Sequence, residues 1–165
     1  MKTEGRFGVT FPNGCHVAEV EIEPETGIAE IVRFTAVDDA GNIVNPQIVE
    51  GQMQGGITQG AGQVFGEHAV YDRETGQLLS GSFMDYAMPR AGLVEGLSIH
   101  EHPVPTAANP LGAKGVGEAG VSGSLPALMN AVVDALQQAG VGRFEMPATP
   151  RRLWEALQAA HRRAA

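Results

Sequence analysis

The chain has 165 residues, 43% of them apolar and 18% charged, and a net charge of −8. This is about one domain's worth of ordinary globular sequence, so a single domain over 1–165 with its own core is expected, and disordered or fibrous classes are excluded. The acidic balance speaks against a nucleic-acid binder, no apolar run approaches the roughly 20 residues of a membrane span, residues 1–11 lack the apolar centre of a signal peptide, and the lone Cys15 rules out an internal disulfide and fits a reducing, cytoplasmic setting.

The chain opens with β-type patterning. Residues 16–23 alternate apolar and polar side chains, the period of a half-buried strand. Pro24-Glu25-Thr26-Gly27 reads as a turn, and 28–37, rich in Ile, Val, Phe and Thr, as the returning strand. The run from Asp38 to Asn42 reads as a second polar turn, followed by a short strand at Ile43-Val44 that Asn45-Pro46 breaks. A helix is predicted over 51–68 from Met53, Ile57, Ala61, Val64 and Phe65. It holds six glycines, each costing about 1 kcal/mol relative to alanine. Two explanations stand side by side: tight packing against another helix, or backbone held close to a ligand.

Further on, 71–76 is a turn, 82–88 an extended segment ended by Pro89, and 97–104 a strand. Residues 106–123 form a loop with five glycines, longer than ordinary connections and therefore of functional character. A helix follows with Pro126 in its first turn, Leu128, Val132, Val133 and Leu136 on one face, and Gly140 as its cap. Thr149-Pro150 opens a terminal helix that ends near His161, with Leu153, Trp154 and Leu157 as its buried face. The fold class expected is α+β: a mixed, largely antiparallel sheet with helices packed on one side.

Chemistry-bearing motifs are sparse. His100 and His102 share a strand face, but two imidazoles without CxxC or HExxH do not close a metal site, so no protein-ligated metal is expected. No nucleophile elbow is present. Gly115-Val116-Gly117-Glu118-Ala119-Gly120 matches GxGxxG formally, but no buried strand leads into it and Glu118 would repel a diphosphate. What remains is one carboxylate among glycines ahead of a helix. It suits a fixed general base that a cofactor can approach closely; it equally suits a helix-start acid favoured by the dipole.

Three segments in order carry a resemblance. The stretch Phe11-Pro12-Asn13-Gly14-Cys15-His16-Val17-Ala18-Glu19-Val20, the stretch Gly51-Gln52-Met53-Gln54-Gly55-Gly56-Ile57-Thr58-Gln59-Gly60, and Lys114-Gly115-Val116-Gly117-Glu118-Ala119-Gly120 are together similar to the C-terminal, molybdopterin-binding part of the molybdenum hydroxylase large subunit. This is the family of xanthine dehydrogenase, aldehyde oxidase and carbon monoxide dehydrogenase. The resemblance spans nearly the whole chain and ends with Thr149-Pro150 and the helix bearing Leu153 and Trp154.

The resemblance implies that Glu118 is the catalytic base, that Gln52 hydrogen-bonds the molybdopterin, and that the backbone of Lys114, Gly115, Val116 and Gly117 lies against the cofactor. It implies hydroxylation of an aldehyde, N-heterocycle or CO-like substrate with water as oxygen source, and electrons leaving through FAD and [2Fe–2S] clusters on other subunits. Molybdenum in this family is held by the pterin, which accords with the lack of metal-ligating motifs. The family's large subunit is several times longer, so the chain is expected to be one piece of it, sharing the cofactor with the remaining large-subunit segment and inactive alone. Other implied partners are the FAD subunit, the iron–sulfur subunit, a small-molecule substrate and a second copy of the chain; nucleic acid and membrane are not among them. A competing expectation is a non-catalytic assembly module, marked by exposed apolar surface; a third is nucleotide binding through the GxGxxG match.

Overall fold

The hairpin forms where the alternation places it. Strand β1 (Asn13–Ile22) pairs antiparallel with β2 (Ala29–Asp39), Asn13 opposite Asp39 and Ile22 opposite Ala29. The register shifts between Glu19 and Val20, so Val32 is the extra residue of a bulge. Gly27, at φ 72°, closes the turn. The computed structural model describes residues 8–164; most of the stretch read for leader character lies outside them.

One face of the hairpin is the core face. Ala18, Val20 and Ile22 are half-buried there, and Ile31, Phe34 and Ala36 are buried, while Val17, Val32 and Val37 look outward. The third strand, β3 (Leu97–Glu101), joins β2 in parallel, Phe34 opposite Leu97. The sheet order is β1-β2-β3, one antiparallel and one parallel pairing, as a mixed sheet requires. A parallel pairing needs a long crossover, and helix α1 (Pro46–Phe65) lies within it.

Helix α1 begins five residues before the predicted start. Asn45-Pro46 is a start signal rather than a break: the Asn45 side chain accepts from Ile48 N–H at 3.2 Å, and proline fills the first turn, where its missing N–H is harmless. The short strand expected at Ile43-Val44 is absent; Gly41 instead bridges to Ala113. The segment 82–88 is a turn, not extended, with Asp85 N–H and Tyr86 N–H both donating to Ser82 O.

Helix α2 (Ala119–Gln138) also starts early, so the last five residues of the expected long loop are helical and Pro126 is its eighth residue. By length and composition α2 could cross a membrane, against the sequence expectation. It is nevertheless the central core helix, packed on both α1 and β1, with Leu128, Val132 and Leu136 buried. Gly140, at φ 76°, ends it. Helix α3 (Pro150–Ala164) buries Leu153 and Ala160. Trp154, expected inside, is 41% exposed. Each fully buried large side chain, such as Phe34, Ile57, Val64, Leu128, Leu136 or Leu153, contributes on the order of 1.5–3 kcal/mol.

Most glycines of α1 serve packing. A Cβ on Gly56 would lie 2.9 Å from Val121 N, and one on Gly120 would lie 2.7 Å from Met53 O and 3.0 Å from Ile57 N. Gly60 faces Ser124 in the same way, and Gly62 faces Pro89. The two helices meet backbone to backbone. Gly51 and Gly55 meet nothing within 4 Å.

Candidate functional site

The glycine-rich loop is anchored just before it becomes bare. Lys114 N–H donates to Ala40 O at 2.8 Å, Asn42 N–H to Gly112 O at 3.0 Å, and the Asn42 amide to Leu111 O at 2.8 Å. The Lys114 ammonium reaches back to the Asp39 carboxylate, which also accepts from Gly41 N–H and Val104 N–H, each at 2.8 Å. The lysine first, then these two amides, hold the Asp39 carboxyl well below its ordinary range, at about 2. The lysine side chain is therefore engaged in fixing the loop to the end of β2.

Beyond that anchor, Gly115 is exposed and a Cβ there would meet nothing within 4 Å. Val116 tucks against the core and accepts from Ala119 N–H through its carbonyl. Gly117 is exposed, and the nearest atom to a Cβ built on it is Gln52 Oε1, at 3.7 Å. The chain thus brings the glutamine of α1 beside the loop 65 residues later. Neither Gly115 nor Gly117 has positive φ, and neither Gly51 nor Gly55 does. Backbone conformation does not require glycine at these four positions, and packing within the chain does not either.

Glu118 is the N-cap of α2, with its carbonyl accepting from Ser122 N–H at 3.0 Å. Its side chain makes no capping hydrogen bond. The carboxylate is exposed and lines an open cleft of about 620 Å³. The cleft's other walls come from residues 10–14, from Gly115–Gly117, and from Ser122 and Gly123 of α2. Its titratable lining is Glu118, Asp38 and His16.

His16 and Asp38 are the residues that sequence reading missed. His16 Nε2 lies 2.9 Å from Asp38 Oδ2, with side chains 3% and 8% exposed. A carboxylate only accepts, so Nε2 donates. The ring stands edge-on to Phe34 at 5.6 Å between centroids, and Nδ1 is buried without a partner. The run 38–42 read as a solvated turn, whereas Asp38 and Asp39 are both 7% exposed at the end of β2. The available signal was two consecutive acids continuing an apolar strand, one of them placed by the hairpin register beside Gly14 and the alternating face of His16.

All six residues named from the sequence (Gln52, Lys114, Gly115, Val116, Gly117 and Glu118) therefore meet at one corner, where α1, the loop and the start of α2 converge. His100 and His102 are exposed, His100 on β3 and His102 just beyond it. Among the described residues, no group of three or more His, Cys, Asp or Glu is placed to hold a metal.

Comparison with known proteins identifies the family. The family model described as the molybdopterin cofactor-binding domain matches residues 1–94. Over 90% of the chain, the sequence is 38% identical to the carbon monoxide dehydrogenase large chain of Hydrogenophaga pseudoflava and 39% identical to the nicotine 6-hydroxylase large subunit of Paenarthrobacter nicotinovorans. The chain spans 18% of the length of each of these relatives. The crystal structure of quinoline 2-oxidoreductase from Pseudomonas putida 86 superposes with a TM-score of 0.85 at 38% identity, covering 90% of this chain and 19% of that one.

Proposed function

The chain belongs to the molybdopterin cofactor-binding domain family, and on that premise we propose that it is a cofactor-binding part of a hydroxylase large subunit with Glu118 as its catalytic base. The observation that carries this reading is the convergence of bare Gly115 and Gly117, the Gln52 amide and an uncapped Glu118 carboxylate on one corner of the fold. A flat heterocycle with polar edges fits that corner. Glycine backbone without Cβ admits a ring system at contact distance, and an exposed amide such as Gln52 can both donate to and accept from it. Lys114 serves by its backbone position, since its ammonium is held by Asp39.

When bound, the molybdenum cofactor supplies two-electron oxidation with water as the oxygen source. With the cofactor in place, the Glu118 carboxylate would serve as the base that accepts a proton from the water that supplies the oxygen. The absence of a capping bond leaves its oxygens free for the task.

The substrate class is a small molecule, either CO-like, an N-heterocycle or an aldehyde, in keeping with relatives named for carbon monoxide, nicotine and quinoline. The partners proposed are the rest of the large subunit and separate FAD and [2Fe–2S] subunits, in the cytoplasm. The assembly-module reading draws on Phe83 and Met84, 84% and 93% exposed, but it leaves the bare glycines unexplained. The test is Glu118→Gln in the assembled enzyme. Turnover should fall about 10²–10⁴-fold while molybdenum and pterin contents stay unchanged; near-normal turnover overturns the assignment.

A further inference from the structure

The His16–Asp38 pair is the one buried titratable cluster in the cleft that the reading above does not use. Two glycines make room for it. A Cβ on Gly14 would collide with the Asp38 carboxylate, and a Cβ on Gly123 would collide with the imidazole, striking the Nδ1–Cε1 edge. Gly123 belongs to α2, five residues after Glu118. The imidazole thus lies directly under the second turn of the helix whose first residue follows the proposed base.

A hydrocarbon side chain would fill the same space without stranding a polar atom, and buried Nδ1 is stranded. What only the imidazole adds is the Nε2–Asp38 hydrogen bond. With Phe34 edge-on at 5.6 Å, that bond fixes the plane of the ring. The ring in turn sets how closely the α2 backbone approaches β1. We propose that His16, oriented by Asp38, is a positioning residue that places Glu118 through the first two turns of α2. This deepens the base assignment and rests on it. It involves no contact of His16 with substrate and no proton passing through the pair.

The test is a double-mutant cycle in the assembled enzyme, with hydrogen exchange as a second readout. His16→Leu should lower kcat about 10²-fold, the scale of a misplaced catalytic group, with KM and pterin content unchanged. In a Glu118→Gln background the same substitution should change kcat no further, because it acts only through the glutamate. Amides of Ser122 and Gly123 should exchange about tenfold faster in His16→Leu, with those near Leu136 unaffected. His16→Gln, which keeps an N–H for Asp38, should recover most of the turnover; Asp38→Ala, which removes the bond that fixes the ring, should lower kcat like His16→Leu and replaces it in the cycle if His16→Leu fails to assemble. An equal loss in both backgrounds, or unaltered turnover and exchange, overturns the proposal. Near-normal turnover of Glu118→Gln alone instead overturns the base assignment, and unaltered exchange at Ser122 and Gly123 would then overturn the positioning role separately.

Discussion

Two glycine-rich regions sit a few residues apart and do opposite things. Where α1 crosses α2, Gly56, Gly60 and Gly120 are pressed against backbone or side chains, so that any Cβ would collide. In the first half of α1 and in the loop before α2, Gly51, Gly55 and Gly115 face open space, and Gly117 faces only an amide oxygen. The first set is spent inside the chain, holding two helices at a distance that larger residues forbid. The second set has no internal use. A glycine in a sequence signals close approach of something; only the space around it says whether that partner is the chain itself or a visitor.

Alanine substitution separates the two sets. The largest effect is expected for Gly120→Ala. Its methyl would press on Met53 O and Ile57 N, backbone atoms of α1 that cannot swing aside. The loss should be about 1–3 kcal/mol of stability, the range of overpacked cores, read from urea unfolding. Gly55→Ala should do the reverse. With nothing within 4 Å, the methyl should gain about 0.8–1.0 kcal/mol of helix propensity, read from the same unfolding curves, and the assembled enzyme should retain less pterin. A destabilised Gly55→Ala, or a neutral Gly120→Ala, would erase the distinction between the regions.

A smaller effect concerns the anchor between them. Asp39 titrates near 2 against an ordinary 3.8 because Lys114 and two amides stabilise its charged form. A depressed carboxyl contributes stability that is present above its ordinary value and lost as pH falls through its folded value. The loop's attachment should therefore hold at pH 4 and loosen between about pH 4 and 2. Amide chemical shifts of Gly41 and Val104 should move in that window; a midpoint at the ordinary 3.8 would contradict the anchoring.

The sequence made the hairpin readable because one face is buried and the other wet, which forces alternation at Ala18, Val20 and Ile22. It made the helix faces readable for the same reason at Leu128, Val132 and Leu136. Boundaries went astray where proline was given one meaning. Pro46 opens a helix where it was read as ending a strand, and Pro126 lies inside one that it was read as opening. In α2 the early turns are built largely of glycine and serine, poor signals alone, and are held helical by contact with α1 and His16. Gln52 was legible only through the resemblance, and the glycine spacing left Glu118 open between base and helix-start acid, since no local pattern joins residues 66 apart. The His16–Asp38 pair was illegible because the aspartate's burial depends on strand register and on space left by Gly14 and Gly123.

The central claim is that the open glycines are where the cofactor lies, and Gly115→Leu tests it most directly. A Cβ there meets nothing within 4 Å among the described residues, so stability of the chain should stay within about 0.5 kcal/mol of the original. The pterin and molybdenum content of the assembled enzyme should collapse at the same time. Full cofactor content alongside unchanged stability would contradict the claim.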